Sequence, residues 1–186
     1  MPGSLSQGWP GLIFLSSFSF LSSSQKSALR FSPLQQTVSD GVIAHETAHQ
    51  WWGDSVTWSG YRNQWLMEAL ANYSSMMLLE SQSPARFRAL MEKYKGDLLA
   101  KNHEVLRLMD AGTVTLGTRL ISSKFPDAYE IVSYERGTWL FHMLRAAMRD
   151  AEPNSPRKRG TGSSSKEPFS QALRAIRDRY QVRPIS

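Results

Sequence analysis

The chain has 186 residues, 41% of them hydrophobic, which is enough for one sizeable core and predicts a single globular unit. It contains no cysteine, so disulfides and thiolate metal ligands are excluded and any metal must be held by His, Asp or Glu. The net charge of +6 raises nucleic acid as a partner, but the Lys and Arg residues are spread out rather than interleaved with aromatics, and no nucleic-acid partner is expected.

From the N-terminus, "GLIFLSSFSFLSS" (Gly11 to Ser23) has the length of a signal-peptide apolar region. No Lys or Arg precedes it, no small-residue cleavage site follows, and serines interrupt it too often for a membrane span. A buried β-strand is the expectation, with a leader peptide as the alternative; a membrane partner is not expected for this segment. Ser39 and Asp40 are candidate N-caps for a helix through Ile43, Ala44, Ala48 and Trp51, stopped by Gly53. A second helix follows from the three-and-four spacing of Trp65, Leu66, Ala69, Leu70, Tyr73, Met76 and Met77. A third opens at Ser83 and Pro84 and carries Phe87, Leu90, Met91 and Tyr94 on one side. "TVTLGTRL" (Thr113 to Leu120) is weakly strand-like. A fourth helix is predicted over 134–149 and a fifth from Pro168, with Phe169, Leu173, Ile176 and Tyr180 on one face. Between these two, residues 151–166, including "PRKRG", read as a flexible basic loop. There is no internal repeat, and the chain is predicted to be mostly α, with a short N-terminal strand region.

The chemistry concentrates in "GVIAHETAHQWWGD" (Gly41 to Asp54). On a helix, His45 and His49 lie one turn apart on one face and can reach a single ion. Two histidines do not complete a catalytic zinc site, which usually takes three protein ligands. Glu68, in "WLMEALANY", follows His49 after 18 intervening residues, enough for a turn and an antiparallel helical return. One Zn²⁺ ion would then have a His, His, Glu shell, with Glu46 placed to take a proton from the attacking water. The competing reading is coincidence, since HExxH arises by chance and a solitary histidine on an apolar helix is usually a packed core residue. The conjunction with Glu68 in its own amphipathic helix favours the metal. Asn72, one turn after Glu68, is a candidate hydrogen-bond partner for a ligating residue. His103 and His142 read as surface and helix-packing residues.

"HETAHQWWGD" followed by "WLMEALANY" resembles the zinc-binding core of the aminopeptidase N family, gluzincin metallopeptidases with HExxH, eighteen residues, then Glu. The aromatic pair after His49 and the W-L-x-E lead into Glu68 are similar too. The resemblance implies a thermolysin-like catalytic domain, zinc held by His45, His49 and Glu68, Glu46 as general base and a peptide as substrate. "SYERGTWLFHML" is similar to the family's Tyr-x-Lys-Gly segment, which implies that Tyr134 stabilises the oxyanion; from the residues alone Tyr134 reads as a core or helix-start tyrosine. Tyr129 is a further candidate for the same cleft. The resemblance runs from "GWPGLIFLS" to "FSQALRAIRDRYQVRPIS", so residues 1–186 read as a single catalytic domain or a fragment. The family's N-terminal β-domain and C-terminal helical domain have no counterpart, and such domains are expected to contribute to full activity.

One departure bears on specificity. The family carries Gly-x-Met-Glu-Asn on the strand before the zinc helix, whose Glu holds the substrate's α-amino group, whereas the equivalent "SLSQGWPGL" (Ser4 to Leu12) has no Met, Glu or Asn. Zinc-dependent, aminopeptidase-like peptide hydrolysis is therefore the first reading. A zinc endopeptidase without a free-N-terminus requirement, or a non-catalytic zinc-stabilised peptide-binding module, are the alternatives. The sequence implies no cellular compartment and no oligomeric state.

Overall fold

The computed structural model describes residues 6–102, 104–150 and 167–180. The loop predicted over 151–166 and the surface reading of His103 lie outside the described residues. Among the described residues, a two-stranded antiparallel hairpin, β1 (Gln7–Trp9) and β2 (Leu12–Phe14), precedes six α-helices. These are α1 (Ser23–Ala28), α2 (Pro33–His49), α3 (Trp65–Gln82), α4 (Pro84–Leu99), α5 (Gly137–Asp150) and α6 (Pro168–Tyr180). The mostly helical expectation holds.

The N-terminal segment is not the buried strand predicted from its apolar content. Gly11, at φ +73°, turns the chain back after Trp9 and Pro10, and Trp9, Leu12 and Phe14 stay exposed on the short hairpin. The hairpin tip is clamped to the end of α2 by Gln50. Its side-chain carbonyl accepts from the Gly11 N–H (2.8 Å) and its amide donates to the Trp9 carbonyl (2.8 Å).

Helix α2 begins earlier than Ser39 or Asp40. Ser32 is its N-cap, in a reciprocal capping box with Gln35, and Pro33 occupies the first helical position. Asp40 serves instead as an ion-pair partner inside the helix, accepting from Lys26 of α1 (2.7 Å) and Arg86 of α4 (2.7 Å). The last helical residue is His49 rather than Trp51. Gly53 then adopts φ +118°, where a side chain would be strained and a Cβ would sit 2.7 Å from Met67 Sδ. This tight reversal returns the chain toward the start of α3.

Helix α3 is central, packing against α2, α4 and α5. Of its predicted apolar stripe, Ala69, Tyr73 and Met76 are buried and Trp65, Leu66, Leu70 and Met77 half-buried; Tyr73 and Met76 form the main core with Phe87, Leu90, Met91 and Tyr94 of α4 and Phe169 of α6. The Ser83 cap and Pro84 start of α4 are as predicted. Buried Arg145 joins three elements, donating to Glu80 of α3 (2.6 Å), to Glu167 just before α6 (2.6 Å) and to the Tyr73 hydroxyl (3.4 Å). His142 packs as predicted, its Nδ1 3.1 Å from the same hydroxyl.

Two other predictions fail locally. "TVTLGTRL" forms 3₁₀ turns over Val114–Leu120, because Gly117 adopts φ +55° and breaks the extended path its β-branched residues favour. The fourth helix starts before residue 134, with a π-helical turn over Glu130–Arg136 that runs directly into α5. Where the two join, Gly137 lies against α3, and a Cβ there would come within 2.5 Å of Ala69 Cβ. Gly137→Ala is therefore expected to force α5 off α3 and cost about 1–3 kcal/mol of stability. Urea denaturation would measure it, and an unchanged midpoint would mean that the contact yields freely.

Candidate metal centre and active-site cavity

The two histidines and Glu68 converge because α2 and α3 return on one another. His45 Nε2 and His49 Nε2 lie 3.0 Å apart, and Glu68 Oε2 lies 3.5 Å from the first and 3.3 Å from the second. Tetrahedral zinc with bonds of about 2.0–2.1 Å would hold its ligand atoms roughly 3.3 Å apart, so the triangle has the required size. His49 Nδ1 lies 2.9 Å from the Trp52 carbonyl. A carbonyl only accepts, so Nδ1 carries the proton and Nε2 keeps its lone pair toward the other donors. Among the described residues, Glu68 Oε2 is buried without a hydrogen-bond partner. An orphaned carboxylate oxygen facing two imidazole nitrogens is a donor set in want of a cation.

The charges follow from this geometry. Burial disfavours ionisation of Glu68, but the two imidazoles facing it outweigh burial and hold its pKa down to about 2. Burial likewise opposes charge on His49, and Glu68 overcomes it, raising His49 above the ordinary histidine value. Glu46, also buried, is raised by that burial; His45, His49 and the Gly8 N–H offset it only in part.

Gly8 was not singled out in the sequence, yet it holds β1 beside the metal helix. A Cβ at this position would meet the Glu46 carbonyl oxygen and His49 Cβ, each at 2.9 Å. Only glycine lets the strand come this close.

Tyr134, on the π-helical turn, stacks over His45 with ring centroids 5.7 Å apart and planes 19° apart. Burial, reinforced by the Glu68 charge, raises its phenol well above the usual value, so it stays a proton donor across the physiological range. Tyr129 meets the Tyr134 ring edge-on at 6.0 Å. His45, Glu46, Tyr129 and Tyr134 all line one cavity of about 830 Å³. Asn72 lines it too, but its amide donates to Thr138 (2.9 Å) and Tyr94 (3.3 Å), not to a ligating residue. One turn of helix carries it past Glu68 toward α4 and α5.

A further carboxylate in the cavity has no sequence signature. Glu135 is buried beside Lys93, which donates to it (3.1 Å) and also to Asp97. Burial pushes its pKa up to about 8, against the pull of Lys93. Because the folded value lies above the unfolded one, its contribution to stability is complete below about pH 4.5 and is lost as pH rises through about 8. Glu135→Gln is expected to flatten that decline, raising the melting temperature relative to wild type at pH 9 while changing it little at pH 5. Equal effects at both pH values would contradict this.

Among the described residues, no helix is long and apolar enough to cross a membrane.

The chain is similar to larger proteins. It is 29% identical over 132 residues to endoplasmic reticulum aminopeptidase 2 of Bos taurus, covering 65% of this chain and 13% of that one. It is 27% identical over 124 residues to aminopeptidase N of Haemonchus contortus, covering 62% and 12%. The fold is similar to that of the M1 zinc metallopeptidase of Deinococcus radiodurans solved with a Tyr-Ser-Ala substrate. That match has a TM-score of 0.50 at 24% identity and covers 79% of this chain and 27% of the other. The chain thus spans about an eighth of the length of these curated relatives. Residues 9–154, which include both metal-facing helices and Tyr134, match the peptidase family M1 domain, and the chain belongs to that family.

Proposed function

We propose that this chain hydrolyses peptide bonds as an aminopeptidase-like metallopeptidase, with one zinc ion held by His45, His49 and Glu68. The observation that carries the reading is the convergence of two imidazole nitrogens and an orphaned carboxylate oxygen at 3.0–3.5 Å. When bound, zinc supplies Lewis acidity, making water more acidic and polarising the scissile carbonyl. Glu46 takes a proton from the attacking water as its oxygen bonds to the carbonyl carbon, then delivers that proton to the leaving nitrogen as the C–N bond breaks. Burial raises the Glu46 pKa, which makes the carboxylate a stronger base for the first transfer. Tyr134 donates a hydrogen bond to the negative charge developing on the carbonyl oxygen, a role worth about 3 kcal/mol in comparable sites.

One observation favours the endopeptidase alternative. β1 (Gln7–Trp9) presents Gly8 to Glu46 and carries no carboxylate that could pair with a substrate ammonium. Elemental mass spectrometry and assays on an aminoacyl amide and its N-acetyl form test the readings together. The expected result is about one zinc per chain and faster turnover of the free amine. Preference for the blocked substrate would establish the endopeptidase reading, and bound zinc with no turnover would reduce the chain to a peptide-binding module.

A further inference from the structure

We propose that Lys93 and Arg136 are positioning residues, which set the Tyr134 phenol over the metal site by pinning its π-helical turn from two sides. This rests on the peptide-hydrolysis reading, in which that phenol donates to the developing oxyanion.

Tyr134, Glu135 and Arg136 are consecutive on the turn Glu130–Arg136, and each meets a different part of the molecule. Tyr134 stacks on His45 of α2, and buried Glu135 accepts from Lys93 of α4 (3.1 Å). Arg136 donates to the carbonyls of Met109 (3.3 Å) and Gly112 (3.1 Å), at the 3₁₀ turn Leu108–Ala111. Among the described residues Arg136 forms no ion pair, so its guanidinium is committed to these two backbone acceptors. Lys93 is itself tied to its own helix by Asp97, one turn on. Immediately beyond the turn, Gly137 rests on Ala69 of α3. π geometry is rare in helices and occurs mostly as single turns, so such a turn depends on contacts of this kind to hold it. Backbone geometry fixes the directions of successive side chains relative to one another, so a rotation that frees Glu135 or Arg136 also swings Tyr134 off His45. The Tyr134 phenol lies close enough to Glu68 for that charge to add to burial in raising it, which sets the ring beside the metal triangle. A displacement of about 1 Å at such a site can cost about 10²-fold in rate.

Steady-state kinetics on the zinc-loaded full chain give one half of the test. Lys93→Met and Arg136→Met are each expected to lower kcat by about 10- to 100-fold, with KM and zinc content unchanged. Lys93→Arg and Arg136→Lys, which keep a donor, are expected to restore most of the rate. In a Tyr134→Phe background the methionine variants are expected to cost nothing further, because the hydroxyl they position is gone. Proton NMR of the full chain gives the other half and needs neither zinc nor turnover. The stacked Tyr134 ring shifts the His45 ring signals, which are assigned by their loss in His45→Gln. Both methionine variants are expected to move those signals toward their positions in Tyr134→Leu, and both conservative variants to leave them in place. Arg136→Met strands no buried carboxylate, so it tests the proposal even where Lys93→Met does not fold. In an active chain, unmoved His45 signals, an undiminished kcat, or an equal loss in the Tyr134→Phe background would overturn the positioning role. Moved signals in a chain that hydrolyses nothing would overturn only the hydrolytic reading.

Discussion

Replacing Glu46 by glutamine is expected to lower kcat about 10²–10⁴-fold, or roughly 3–5 kcal/mol of barrier, while zinc content stays at one per chain. The separation of the two effects follows from geometry. The atoms that converge on the metal site belong to His45, His49 and Glu68, and Glu46 is not among them. Glutamine preserves the size of the side chain beside Gly8 and His49 but cannot accept and return a proton. Steady-state kinetics paired with elemental analysis of the same preparation would check it. A variant that keeps its zinc and its full rate would remove Glu46 from the chemistry.

Glu68→Ala acts on the other half of the site. It removes the only carboxylate in the donor triangle and is expected to weaken zinc by more than the 10–100-fold typical of losing an outer-shell partner. Competition with a chromophoric chelator would measure it, and unchanged affinity would rule Glu68 out as a ligand. The metal-free protein gives an independent signature. The depressed pKa of Glu68 contributes stability that is present above about pH 4.5 and lost as pH falls through about 2. The raised pKa of His49 contributes stability that is complete below about pH 6.5 and lost as pH rises through its folded value. The two overlap between about pH 4.5 and 6.5. There the urea midpoint of Glu68→Ala should fall furthest below that of the wild type, with a smaller gap at pH 8.

Much of this was legible because it is local. The periodicity of Trp65 to Met77 marked the buried face of α3, and Ser83 with Pro84 marked the start of α4. The start of α2 was equally local, in Ser32, Pro33 and Gln35, but Ser39 and Asp40, nearer the histidines, drew the boundary seven residues too late. Trp51 fell outside the helix because Gly53 needs several residues to make its reversal against Met67.

By itself the sequence pointed to the proposed ligand set, since four-residue spacing on a helix places His45 and His49 on one face and eighteen residues allow the chain to return to Glu68. Tertiary structure decided what surrounds that set. Gly8 against α2, Asn72 turned to Thr138 and Tyr94, and Glu135 paired with Lys93 all depend on contacts between residues distant in sequence. Helical spacing fixes which side chains share a face, because the backbone geometry of a single helix sets it. Which other element that face meets, and whether a charge there finds a partner, depends on how the helices pack, and no local pattern encodes it.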